Sequence, residues 1–214
     1  LIWAKTMQED GCDKIIIEPY LKVYETYVVS GFIPPVGEPR MNGIFKQIVN
    51  EFGDYQGFSF PAYGKYVAQT KRQMVKAVKN WLSYLQKEGY IGNSGLDFMI
   101  GHNKKLGKVL AASESNTRWD GTRFALQYGA RVAGWDLRDL SGISEKHIGI
   151  KAIDHLPTPF TTTDEVIKKL QEVTVPLLGL TNNNAGIVVI LPPHYMNQQN
   201  EIALAAIGKS LEHA

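Results

Sequence analysis

The sequence predicts an α+β fold in which an antiparallel sheet packs against helices. Three observations carry that prediction. Runs rich in β-branched and aromatic residues occur at 14–21 and 24–33. One long stretch, 65–87, spaces most of its apolar residues three and four apart. Two further apolar runs, 94–100 and 108–113, flank a polar turn, which is the pattern of a hairpin.

The elements follow in order. Leu1, Ile2, Ala4 and Met7 fall near one helical face, and Gly11 is a natural stop. Residues 14–21 (KIIIEPYL) read as a buried strand in which Pro19 ends regular pairing. Residues 24–33 (YETYVVSGFI) form the next strand, closed by Pro34, Pro35 and Gly37. Residues 44–49 admit either a strand or a short helix, followed by a polar loop before Phe58 and Phe60. Within 65–87, Val67, Met74, Val78, Trp81, Leu82 and Leu85 make an apolar stripe, and Gly89 stops the helix. Phe124, Ala125, Tyr128, Ala130, Val132 and Ala133 predict a second helix over 121–134. Thr162 and Glu165 have capping-box spacing for a third, running to about Val173. Residues 186–191 and 202–207 read as two strands before a short final helix. The expected division is 1–140 for the first strands, long helix and hairpin, and 141–214 for a small α/β C-terminal subdomain.

A chain of 214 residues can bury a sizeable core, and 44% hydrophobic with 21% charged residues is ordinary for a soluble globular protein. A net charge of +2 argues against a nucleic-acid or membrane partner. Cys12 is the only cysteine, which excludes an internal disulfide and a thiolate metal cluster and suits a cytoplasmic location. No apolar run approaches the roughly 20 residues that span a bilayer. These observations leave the oligomeric state open.

The hairpin carries the candidate chemistry. A Mg²⁺ ion on a nucleotide triphosphate takes one or two carboxylates from protein, and the phosphates fill much of its remaining shell. Asp97 lies in the first strand of the hairpin and Glu114 ends the second. Residues two apart on a strand share a face, so Glu114 and Asn116 can point at one ion while Ser115 points away. Arg118 continues the alternation with a fork of donors suited to phosphate. By spacing alone, a solvated Asp and Glu at strand ends is the commoner outcome. The histidines His102, His147, His155, His194 and His213 show no ligand spacing, and 182–186 (NNNAG) is a turn signal.

At these residues the sequence resembles the ATP-grasp superfamily, whose hairpin carries Asp on one strand and Glu-x-Asn, often continued to Arg, on the next. The matching segments are GLDFMI and ASESNTRWDGTRFAL, preceded in the same order by IIIEPYL, YETYVV and a long helix. The resemblance covers roughly 1–135. It implies an ATP-grasp fold and ATP with Mg²⁺ (or Mn²⁺) as cofactors. Asp97, Glu114 and Asn116 would hold the metal, and Arg118 would serve the transferring phosphoryl group. The backbone of Glu18, Pro19, Tyr20 and Leu21 would face adenine, and Glu25 the ribose. Trp119 would line a substrate pocket or belong to the surface. Asp120 and Thr122 either lie near the second substrate or cap the following helix. The implied activity is ligation of a small-molecule carboxylate to an amine through an acyl-phosphate. The alternative is a non-catalytic nucleotide-binding or assembly module. The family's phosphate-clamping lysines and glycine-rich loop do not appear before Glu18. The expectation is therefore a piece lacking the N-terminal part of the same protein and inactive by itself.

Overall fold

The computed structural model describes residues 19–118, 121–132, 149–172, 185–191 and 201–208. Within them the chain runs β1 (Lys22–Ile33), β2 (Arg40–Val49), β3 (Tyr55–Phe60), α1 (Lys65–Lys87), β4 (Gly92–Asn103), β5 (Gly107–Asn116), α2 (Gly121–Val132), β6 (Gly149–Pro157), α3 (Thr163–Glu172), β7 (Gly186–Leu191) and β8 (Glu201–Gly208). The strands form a single sheet in the order β5-β4-β1-β2-β3-β6-β8-β7, with every neighbouring pair antiparallel.

Alternation along the strands feeds two cores. Tyr27, Val29, Ile44, Leu96, Phe98 and Ile100 face α1, where Met74, Val78 and Leu82 meet them. Val28, Phe45, Phe58, Phe60, Ile150, Ala152, Ala205 and Ile207 face the other way, onto Ala125, Leu126 and Ala130 of α2. The sheet is therefore covered on one side by α1, and on part of the other by α2. Gly31 allows the close approach of α1, because a Cβ there would lie 2.5 Å from Leu82 Cδ1 and 2.9 Å from the Arg40 carbonyl oxygen.

The helix ends follow the sequence chemistry. Gly89 adopts φ 85° after α1, its N–H reaches Gln86, and the Tyr90 N–H reaches the Leu85 carbonyl at 2.9 Å, a Schellman closure. At α3 the Glu165 N–H donates to Thr162 Oγ1 at 3.3 Å and the Thr162 N–H to Glu165 Oε2 at 3.1 Å, the reciprocal capping box. Backbone donors from Thr161 and Thr162 hold the Glu165 carboxyl below its usual range.

Differences from the sequence reading are local. Residues 44–49 belong to a strand, β2, rather than a helix. Residues 19–21 precede β1 instead of lying within a strand. The segment 149–157 carried no prediction, yet as β6 it pairs with β3 and β8 and joins the later strands to the same sheet. At that seam Gly57 has φ 140°, and a Cβ on it would sit 2.2 Å from the Ala152 carbonyl oxygen. Only glycine meets both demands. The helix expected at the start, most of the strand at 14–21, Val173 and the final helix lie outside the described residues. Among the described residues, no helix is long and apolar enough to cross a membrane.

Candidate metal and nucleotide site

Asp97 pairs directly with Glu114 across β4 and β5, flanked by Leu96 with Ser115 and Gly95 with Asn116. Below this point the register changes: Phe98 pairs with Ala112, so Ser113 is the extra residue of a β-bulge. Without it, Asp97 would face Ser113 and the Glu114 side chain would leave the opposite side of the sheet. The bulge puts Asp97, Glu114 and Asn116 on one face. Asp97 is also the register partner of Val28, whose side chain belongs to the α2-side core. The three expected metal ligands therefore gather on the sheet face that α1 does not cover.

Asp97 is positioned from a third strand. Gln47 of β2 donates from Nε2 to Asp97 Oδ2 at 2.9 Å, reaching over β1. The bond orients the carboxylate, and a Mg²⁺ ion would find the rest of its hard-oxygen shell in Glu114, the Asn116 amide oxygen and the phosphates. Two facing carboxylates and an amide suit that ion. Among the described residues no group of three or more His, Cys, Asp or Glu could hold a metal. Gln47 had no place in the sequence reading, since β2 itself was ambiguous there. The next row on this face is Ala111, Met99 and Thr26, with small side chains on either side of Met99.

The remaining expected residues fall into three groups. Arg118 lies exposed in the bend before α2, two residues beyond Asn116, and Thr122 is buried in the first turn of α2. Glu18, Trp119 and Asp120 lie outside the described residues. Pro19, Tyr20 and Leu21 form the extended approach to β1, where the Tyr20 carbonyl accepts from Asn103 Nδ2 at 3.0 Å. Pro19, Tyr20, Lys22 and residues 102–106 border an open cavity of about 720 Å³.

Glu25 is not brought together with Asp97. It shares the α1 face with Tyr27, receiving the Tyr27 hydroxyl on one oxygen and Lys46 Nζ at 2.7 Å on the other. Its side chain is 16% exposed. Burial, reinforced by the Glu25 carboxylate, pushes the Tyr27 phenol well above its ordinary pKa.

No family model and no curated protein matches the sequence. Solved structures do match. N5-carboxyaminoimidazole ribonucleotide synthetase from Thermus thermophilus superposes with a TM-score of 0.58 at 11% identity, covering 98% of this chain and 53% of that one. The biotin carboxylase domain of 2-oxoglutarate carboxylase from Hydrogenobacter thermophilus, solved with MgADP and bicarbonate, gives 0.58 at 14%, covering 97% and 46%. The phosphoribosylaminoimidazole carboxylase ATPase subunit from Aquifex aeolicus gives 0.52 at 12%, covering 92% and 55%. The chain thus spans about half the length of the solved structures it matches. At such identities the likeness speaks to the fold, and this chain has the fold of the ATP-grasp superfamily.

Proposed function

We propose that this chain is the metal- and nucleotide-binding portion of an ATP-dependent ligase that joins a carboxylate to an amine through an acyl-phosphate. The observation that carries the reading is the pairing of Asp97 with Glu114 on the open sheet face, with Asn116 beside them. Mg²⁺, held by these three residues, would neutralise the phosphate charge that spreads over oxygens during transfer. The chain's own contribution is positioning. Gln47 holds Asp97 in its orientation, and Arg118 would supply donors to the transferring group from the bend just beyond β5. The nucleoside lies along the Thr26, Met99 and Ala111 row towards 19–21, where main-chain groups of the extended segment meet adenine. Glu25 lies on the opposite, α1-covered face with Tyr27 and Lys46 and takes no part in this path.

The carboxylate and amine substrates, and the lysines that clamp the α- and β-phosphates, are assigned in this reading to an N-terminal part of the same protein. Isothermal titration with MgADP tests the metal-site core of the proposal. Asp97→Asn and Glu114→Gln are each expected to weaken binding at least about tenfold, since even the outer partners of metal ligands commonly matter that much. Equal affinity in wild type and both variants would remove the assignment. ATP binding without ADP release, in the presence of acids and amines and the N-terminal part, would favour a non-catalytic binding module instead.

A further inference from the structure

We propose that the open cavity at the end of the β4–β5 hairpin docks an acidic peptide segment of a partner protein, which inserts one large apolar side chain and sets carboxylates on the rim. The cavity, of about 720 Å³, is walled by Pro19, Tyr20 and Leu106 and bordered by Lys22, Lys104 and Lys105. Tyr20 is 84% exposed and Leu106 71%. Two large apolar side chains left in water at one concave place are what a partner would cover.

This cavity is separate from the proposed metal site. Lys22 and His102 are register partners, and the next residue in that row is Lys108, whose Nζ lies 4.7 Å from the centre of the Tyr66 ring of α1. The row therefore leaves the sheet on the α1 side. Asp97 faces the other way, five residues and about 17 Å back along β4. Hydrogen bonds hold the walls in place. Asn103 Nδ2 donates to the Tyr20 carbonyl at 3.0 Å, and Asn103 Oδ1 accepts from the N–H of Lys105 at 2.9 Å and of Leu106 at 3.2 Å. Gly107, at φ 72°, closes the turn. The cavity is thus formed before anything binds, which lowers the ordering cost of docking.

Charge selects the occupant. The chain's net charge is only +2, yet three ammonium groups border this one cavity. Its described lining residues include no carboxylate, and among the described residues Lys22, Lys104 and Lys105 form no ion pair. Like charges held together beside apolar walls repel one another, and a negative partner relieves that repulsion. Openness decides between a small anion and a peptide. A small molecule is held by burying most of its surface, which walls as exposed as these do not provide. A peptide can sink one anchor and leave its backbone outside. A flat bilayer surface does not enter a concave site, so shape favours a peptide over an anionic membrane as well. None of this rests on the ligase reading above.

Backbone resonances of the ¹⁵N-labelled chain, titrated with an acetylated and amidated pentapeptide of one tryptophan between two pairs of glutamates, test it. Residues 20, 22 and 102–106 are expected to shift saturably, with affinity falling as salt rises from about 0.05 to about 0.5 M. The peptide with glutamines in place of the glutamates, and the one with alanine in place of the tryptophan, should each bind at least about tenfold more weakly. Lys104→Glu combined with Lys105→Glu, and separately Leu106→Ser, should weaken the acidic peptide by about the same factor and leave MgADP affinity as in wild type. Equal binding of the glutamine peptide, no saturable shift at these residues, or unchanged peptide affinity in the variants would overturn the proposal. Binding to phosphatidylserine vesicles in place of the peptide, lost on the same charge reversals, would overturn it in favour of a membrane surface. Failure of the wild type to bind MgADP would count against the ligase reading and leave the peptide result standing.

Discussion

Asp97 and Glu114 are direct partners across β4 and β5, and the bulge between them keeps them so by absorbing Ser113 as an unpaired residue. The consequence is a sharp one. Deleting Ser113 straightens the ladder but leaves Glu114 next after Ala112 and so still opposite Asp97, and MgADP affinity should stay near that of wild type. Inserting an alanine after Ser113 moves Glu114 to the row of Leu96 and to the α1 side, and affinity should then fall at least as far as in Glu114→Gln. Ser113→Ala keeps the bulge and should bind like wild type. Calorimetric titration of the three variants, with circular dichroism to confirm folding, separates register from chemistry. An insertion variant that binds MgADP normally would show that register does not matter.

In the proposed site Gln47 would act on the metal through Asp97, so its removal is expected to weaken MgADP binding about tenfold without unfolding the chain. Gln47→Glu sets a second negative charge beside Asp97. It should make binding depend more strongly on Mg²⁺ concentration than Gln47→Ala does. Titrations at two Mg²⁺ levels would read the difference, and identical behaviour of the two variants would contradict it.

Gly57 guards the seam at which β6 joins β3. A methyl group there meets the Ala152 carbonyl oxygen, and the φ of 140° is itself unfavourable for any other residue. Gly57→Ala is expected to destabilise the chain by at least about 1–3 kcal/mol, the range of a strained backbone position. Urea unfolding should show the loss. Hydrogen exchange should place it in β6 and β8 before β1 and β4.

The Glu25–Tyr27 contact predicts a dependence on alkaline pH. Tyr27 keeps its proton in the folded chain above the usual phenol value of about 10, at which the unfolded chain loses it. Stability from this site is therefore complete below about pH 10 and is lost as pH rises beyond it. Phenolate absorbance in the folded chain should show Tyr27, and Tyr90 for its burial, lagging behind the exposed tyrosines. Glu25→Ala leaves the Tyr27 hydroxyl and Lys46 without their shared acceptor and should cost about 1–3 kcal/mol. A chain in which all tyrosines titrate together would sink the prediction.

Much of this was legible from residue spacing. The stripe from Val67 to Leu85 defined α1 because a three-and-four repeat has one helical solution, and Gly89 marked its end because its neighbours need a left-handed residue there. Thr162 and Glu165 announced α3 through their reciprocal donors and acceptors. β6 was not legible: its run GIKAIDHLP mixes a lysine, an aspartate and a histidine into a strand whose place depends on β3 and β8. Glu25 was grouped with the nucleotide contacts by order along the chain, whereas its alternation with Val28 sets it on the α1 face.

The sequence by itself determined which residues can do hard-ligand chemistry and that they lie on a hairpin, because carboxylate, amide and turn signals are local. Whether those side chains meet was decided by tertiary structure. A bulge in β5 that absorbs Ser113 keeps Glu114 on the face of Asp97, and a glutamine from a strand two positions away orients Asp97. Register, bulges and cross-strand partners depend on pairing between distant segments, and no local run of residues specifies that.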